Sequence, residues 1–376
     1  MARDVSRRLQ KLRTRRAGTD RLQAFDSSYA DSVLAKSLQA ESWQKRAANA
    51  PYTRYALGGM EAVDADYTRI SLETAERVGR QLDAGLAEVG LNALFRLQGS
   101  VPLNVHIRGV SDVDLLNISS EYLTYDKSGA RSVNCHYTSP TSRTSFEVLS
   151  ELRASTEKIL KRKFPAAVVD CTGGKAIKLS GGSLQRPVDV VPSHWYDSAA
   201  YQASGSEVER GVVILDKNKS STIENYPFTH IALVTRRDEG ASGGLKKAIR
   251  LCKNVKSDAE DDGTQIDFPS FDIAATMYHA NIVALGANTY YELSVLAECQ
   301  RFLDYLTLNE SEARKLVVPD GTRRVFDSDR KLAGLRKLSL EFDDLAREVA
   351  KEQNPLVGSN PSLSASRQAI EKAFVF

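Results

Sequence analysis

Gly99-Ser100-Val-Pro-Leu-Asn-Val-His-Ile-Arg-Gly-Val-Ser-Asp112-Val113-Asp114-Leu115-Leu116 is the stretch from which the fold of this 376-residue chain can be read. The apolar Val113, Leu115 and Leu116 mark a strand. Side chains two apart on a strand share a face, so Asp112 and Asp114 point the same way. The backbone amides of a Gly99-Ser100 turn can meet phosphate oxygens. A third carboxylate, Asp189, stands in a second apolar run, Pro187-Val188-Asp189-Val190-Val191-Pro192. With oxygens about 4 Å apart at an effective dielectric near 20, each carboxylate pair repels by roughly 4 kcal/mol. Three such pairs rival a folding free energy of about 5–15 kcal/mol. A cluster of this kind either takes up protons or binds cations. Oxygen donors without His or Cys select magnesium, or manganese in its place, over zinc. Two such ions can clamp the attacking and leaving oxygens of a phosphoryl group, with Asp189 placed to help deprotonate the attacking hydroxyl.

Outward from this stretch, Leu72, Ala75, Val78, Leu82, Leu86 and Val89 recur at the helical period and predict a long amphipathic helix leading into Gly99. Residues 105–108 and 112–118 are expected as strands. Thr144-Ser-Phe-Glu147 is a capping box that should open a helix ending near Lys163. Segments 166–171 and 175–179 around Gly173-Gly174 predict a hairpin, and the Asp189 strand follows. After about residue 220 the pattern turns helical. Leu245, Ile249, Cys252 and Val255 form a stripe, Ser270 could cap a helix to Leu285, and Thr289-Tyr-Tyr-Glu292 reads as a capping box. The expected fold is α+β and two-lobed, with a helix-covered mixed sheet and a mostly helical C-terminal lobe. The expected domains are an N-terminal helical extension (1–64), a catalytic domain (65–220) and a helical C-terminal domain (221–376).

Composition is that of an ordinary soluble protein, with 42% hydrophobic and 26% charged residues. A net charge of +3 is too small to argue for nucleic-acid binding, which stays open. Arg7, Arg8, Lys11, Arg13, Arg15 and Arg16 make a basic N-terminal arm, read first as a solvated face and second as a phosphate contact. Residues 27–50 look helical, with Val33, Leu34, Leu38 and Trp43 as core candidates. The four cysteines lack the paired spacing of a zinc ribbon. Gly173-Gly174-Lys175 lacks the spacing of a phosphate-binding P-loop, and Asp258, Glu260, Asp261 and Asp262 read as a surface loop. With no stretch of 18 apolar residues and no hydrophobic signal core, a cytoplasmic protein is expected.

At the Gly99-Ser100 turn, the Asp112/Asp114 pair and Val188-Asp189-Val-Val-Pro192, the chain resembles the polymerase-β-type nucleotidyltransferases. Later segments, Asn225-Tyr-Pro-Phe-Thr-His230, Leu245-Lys-Lys-Ala-Ile-Arg-Leu-Cys-Lys253 and Pro269-Ser-Phe-Asp-Ile-Ala, narrow the resemblance to the bacterial cyclic-GMP-AMP-synthase/DncV-like nucleotidyltransferases (CD-NTases). The resemblance implies an enzyme making cyclic di- or trinucleotides, or linear oligonucleotides, from ATP, GTP or other NTPs in anti-phage (CBASS) signalling. Its product would act on a downstream effector, and a regulatory protein partner is possible in such systems. By the same resemblance, Gly99 and Ser100 would cradle the β- and γ-phosphates, and Asp112, Asp114 and Asp189 would bind two magnesium ions. Lys253 would contact the triphosphate, and Lys246, Arg250 and Lys253 do share one helix face. Pro102, soon after the turn, departs from the family pattern.

Two other readings compete. One is transfer of a nucleotide onto an RNA, protein or small-molecule acceptor. The other is a non-catalytic nucleotide- or nucleic-acid-binding scaffold, which would gain nothing from three mutually repelling carboxylates.

Overall fold

A computed structural model of the chain describes residues 4–18 and 40–376. Of the helix expected over 27–50, the part up to residue 39, with Val33, Leu34 and Leu38, lies outside the described residues. Trp43 is buried in the short helix Ser42–Lys45. Contacts group the chain into two compact units, one of Asp64–Leu103 and Ser111–Ala232, the other of the described residues up to Val63, Asn104–Val110 and Leu233–Phe376. The described N-terminal residues, expected to stand apart, thus group with the C-terminal helices, and the second division falls at 232/233 rather than 220/221.

In the first unit the strands are β1 (Ala93–Gln98), β2 (Val113–Tyr125), β3 (Val168–Asp170), β4 (Ile177–Ser180), β5 (Val188–Asp197), β6 (Gly211–Asp216) and β7 (Ser221–Asn225). They form one mixed sheet in the order β1-β2-β5-β4-β3, with β6 pairing with β5 and β7 with β6. The β2–β5 pair is parallel, and the pairs of β1, β3, β4, β6 and β7 are antiparallel. Val113, Leu115, Ile177, Leu179, Val188 and Val190 alternate onto one face and share a core with Val78, Leu82 and Leu86 of the helix Ala65–Ala87 and Leu152, Ile159 and Leu160 of the helix Ser145–Lys163. Each such side chain contributes roughly 1.5–3 kcal/mol by leaving water.

The Ser145–Lys163 helix starts as its sequence predicts. Thr144 accepts from the Glu147 amide while the Glu147 carboxylate accepts from the Thr144 amide. Lys161, Arg162 and Lys163 close it at the negative end of the helix dipole. The β3–β4 hairpin also forms as expected. Ahead of Gly99, however, β1 intervenes between the amphipathic helix and the turn. It is an edge strand with mostly half-buried residues, so no clean alternation betrays it. The fully buried Gly211–Asp216 run of β6 gives no period at all. Residues 105–108 are not a strand. Val105 lies buried in the second unit, where its carbonyl accepts from Lys253 Nζ at 2.8 Å, and the Asn104 carbonyl accepts from Arg250 Nη1 at 2.8 Å.

In the second unit Leu245, Ile249, Cys252 and Val255 are all buried on the helix Gly244–Asp261, as their spacing predicts. The helix expected from Ser270 to Leu285 is broken into Ser270–Met277 and Ile282–Gly286, because the Asn281 side chain accepts from the Val283 and Ala284 amides and starts a new one. The Thr289/Glu292 capping box does not form. The Glu292 carboxylate instead meets Arg46 Nη1 at 2.7 Å and Lys247 Nζ at 2.9 Å, charge-assisted partners stronger than a neutral amide.

The basic arm, read first as a solvated face, holds Arg8 and Arg15 buried, while Arg7 stays exposed. It is the helix Val5–Ala17, with Arg8 2.7 Å from Asp262 and 2.9 Å from Glu341, and Arg15 3.0 Å from Asp258. Asp258, expected in a surface loop, is fully buried in the last turns of the Gly244–Asp261 helix.

Buried His194 on β5 gives the fold an acid limit. Its Nδ1 lies 2.9 Å from the Trp195 carbonyl oxygen, and its Nε2 has no hydrogen-bond partner among the described residues. Burial pushes its pKa down to about 4, against the opposing effect of the backbone bond. In the unfolded chain an imidazole gains its proton near pH 6.5. Between that value and about 4 the unfolded state therefore binds more protons, and stability falls as pH falls, by on the order of 3 kcal/mol. Urea midpoints measured from pH 7 to 4 should show this loss, and His194→Gln should remove its share.

Candidate active site

The strand registers bring together what the sequence separates. Gln98 pairs with Asp114, Asp114 with Asp189, Asp189 with Lys178 and Lys178 with Asp170. These five residues form one row across β1, β2, β5, β4 and β3. Directly paired residues share a face, and neighbouring strands lie about 4.8 Å apart. Asp112, two residues before Asp114, falls on the same face. It is the face opposite the helices Ala65–Ala87 and Ser145–Lys163, since Val113, Leu115, Val188 and Val190 point into their core.

Asp189 is half-buried, and its Oδ1 is fully buried without a hydrogen-bond partner among the described residues. Burial first, and then the negative charge of Asp112, push its pKa above the ordinary carboxylate value, while Lys178 pulls it down. Asp112 and Asp189, far apart in sequence, thus feel each other's charge. Asp112 is held by an ion pair from its Oδ2 to Lys178 Nζ. Asp114 lies against the turn that follows β1. Gly99 has φ +76°, and a Cβ added there would stand 2.1 Å from Asp114 Oδ2. Only glycine allows both that backbone conformation and that approach. Ser100 follows it, half-buried. Gly99→Ala should therefore displace the Asp114 carboxylate and lower kcat/KM by about a hundredfold with the fold retained; steady-state kinetics beside a thermal melt check this.

Among the described residues no three His, Cys, Asp or Glu side chains form a ready metal cluster. The carboxylates share a face, but Asp112 is turned to Lys178. The donor set nonetheless suits a hard divalent cation. It consists of carboxylate oxygens, one of them buried and unpartnered on Asp189 among the described residues. A cleft of about 520 Å³ adjoins Asp189, with Asp170, Lys175, Lys178, Asp216 and Lys219 in its wall, a volume in the range of small-molecule sites.

Lys253, expected at a triphosphate, makes its hydrogen bond within the second unit. It is buried, with Nζ 2.8 Å from the Val105 carbonyl oxygen. Its face-mates also have partners within the second unit: Arg250 Nε donates to the Met60 carbonyl at 2.7 Å, and Lys246 Nζ lies 3.8 Å from Asp238 Oδ2. Lys178 and Asp170 were missed from sequence. The signal was present for Lys178, a charge between the buried Ile177 and Leu179 and hence on the opposite face of the hairpin.

The sheet, with helices on one face and this row on the other, and the helical unit are the architecture of a nucleotidyltransferase. A model of the cGAS/DncV-like nucleotidyltransferase C-terminal helical domain matches residues 232–344. The cyclic dinucleotide synthase CdnE of Yersinia aleksiciae is 43% identical over 358 residues, 92% of each chain. A c-di-GMP synthase of a Lachnospiraceae bacterium is 31% identical, over 65% of this chain and 73% of its own. The solved structure of a STING-associated CdnE c-di-GMP synthase from Flavobacteriaceae sp. shares the fold at a TM-score of 0.70 and 22% identity, over 94% of this chain and 99% of that one. The chain belongs to the cGAS/DncV-like nucleotidyltransferase family and is a nucleotidyltransferase of the cyclic-dinucleotide-synthase kind. Such enzymes are generally metal-dependent.

Proposed function

We propose that this enzyme joins two nucleoside triphosphates, ATP and GTP among the candidates, into a cyclic dinucleotide. Asp112, Asp114 and Asp189 would hold two magnesium ions, with manganese able to substitute, and the Gly99-Ser100 turn would seat the β- and γ-phosphates. The observation that carries this reading is the register pairing of Asp114 with Asp189, with the unpartnered Asp189 Oδ1 beside it. The names of the relatives support the product class.

A ribose hydroxyl of one nucleotide attacks the α-phosphorus of the other and pyrophosphate leaves; a second transfer closes the ring and releases a second pyrophosphate. Bound at the carboxylates, the ions would lower the pKa of that hydroxyl and neutralise charge on the triphosphate. Asp189 would be the group that helps take up the proton of that hydroxyl. Asp114, seated against Gly99, ties the carboxylate row to the phosphate turn. The product would act as a second messenger on a downstream effector in CBASS defence, a reading supported by the STING-associated relative. No described helix is long and apolar enough to cross a membrane, and we place the enzyme in the cytoplasm.

Incubation with all four NTPs and magnesium or manganese, without an acceptor, tests this. A phosphatase-resistant cyclic dinucleotide by mass spectrometry is expected. Product appearing only when an RNA, protein or small-molecule acceptor is added would replace the cyclase reading with acceptor modification. No pyrophosphate release, even with added nucleic acid or candidate regulatory proteins, would favour a binding scaffold.

A further inference from the structure

Lys178 occupies an unusual position for a lysine. It stands in the sheet row between Asp189 and Asp170, and its ammonium pairs with Asp112. Its charge also opposes the burial and the Asp112 repulsion that raise Asp189, and it adds to the Thr172 hydrogen bonds that hold Asp170 low. Ile177 and Leu179, fully buried on the opposite face, fix the backbone from which it projects. The side chain itself is 47% exposed and borders the cleft beside Asp189, so the ammonium has room to leave. Asp114 already faces Asp189 in the row, and Lys178 is the positive charge between Asp189 and Asp170.

We infer that Lys178 is a built-in counter-ion. It holds Asp112 while no metal is bound, and it competes with the divalent cation for that carboxylate, setting the metal affinity of the site. The inference rests on the reading of Asp112, Asp114 and Asp189 as metal ligands. A lysine suits the role: it is a compact charge on a flexible stem, and a partly exposed pair is weak enough to be displaced.

Free Mn²⁺ measured by electron paramagnetic resonance, titrated against the full chain without nucleotide, tests the competition. Lys178→Met should bind Mn²⁺ about fivefold more tightly than the unsubstituted enzyme, and Lys178→Arg, which keeps the charge, should stay close to it. In EDTA, Lys178→Met should melt at a lower temperature, with the gap closing when Mn²⁺ is added. In an Asp112→Asn background the same substitution should change the affinity much less, because the pair is already gone. Lys178→Gln serves the same comparison if the methionine variant folds poorly. Unchanged or weaker Mn²⁺ binding on loss of the lysine, with binding abolished by Asp189→Asn, overturns the counter-ion role and leaves the carboxylate site standing. Equal Mn²⁺ binding by Asp189→Asn and the unsubstituted enzyme removes the carboxylate site itself, and this inference with it.

Discussion

Asp189→Asn should slow pyrophosphate release from NTPs by about a thousandfold or more while leaving the melting temperature unchanged or raised. The amide keeps the shape of the carboxylate but loses the charge proposed to bind metal and accept a proton. Stability moves the other way because the charged form of Asp189 is disfavoured in the fold, by burial first and by Asp112 second. A neutral side chain relieves both. A pyrophosphate-coupled assay and a thermal melt in the same buffer read the two halves of this prediction. Activity within tenfold of the unsubstituted enzyme would take Asp189 out of the chemistry. Loss of activity together with a collapse of the melt would make it a structural residue.

Asp258→Ala should show that structural pattern, with a loss of about 3–5 kcal/mol in folding stability read from urea unfolding. Asp258 is fully buried and accepts from Arg15 Nη1 at 3.0 Å and from the Tyr55 hydroxyl at 2.6 Å. Burial alone would lower the Arg15 pKa, yet the Asp258 charge beside it holds the guanidinium above its ordinary value. Tyr55 is pushed well up by burial and then by Asp258. Truncating Asp258 leaves a buried cation and a buried hydroxyl without their acceptor. Arg15 keeps one bond, from Nη2 to Asn254 Oδ1 at 2.9 Å, too little to offset a desolvated charge. A loss below about 1 kcal/mol would mean that the Val5–Ala17 helix is not anchored through this pair.

Some of this structure was legible because the signal is local. The Thr144/Glu147 box opens its helix through bonds between residues three apart, and that helix ends at Lys163 as expected. The Gly173-Gly174 hairpin and the Asp189 strand depend on neighbouring residues in the same way. Where the reading failed, a distant partner had overruled the local signal. Glu292 has the right spacing for a cap, but Arg46 and Lys247 take its carboxylate. The arginines of Val5–Ala17 look like a solvated face until Asp258, Asp262 and Glu341 are brought to them.

The carboxylates themselves divide along the same line. That Asp112 and Asp114 share a face follows from their spacing, and the apolar residues around Asp114 and Asp189 suffice to place those two on strands, with Asp112 just ahead of β2. Which strand lies beside which is a matter of sheet order and register, and those arise only from long-range hydrogen bonding and from burial of Val113, Leu115, Val188 and Val190 under two helices. A slip of one residue in the β2–β5 pairing would have turned Asp189 into that core. The folded sheet, not the motif, sets Asp189 beside Asp114 and puts Lys178 where a cation is needed.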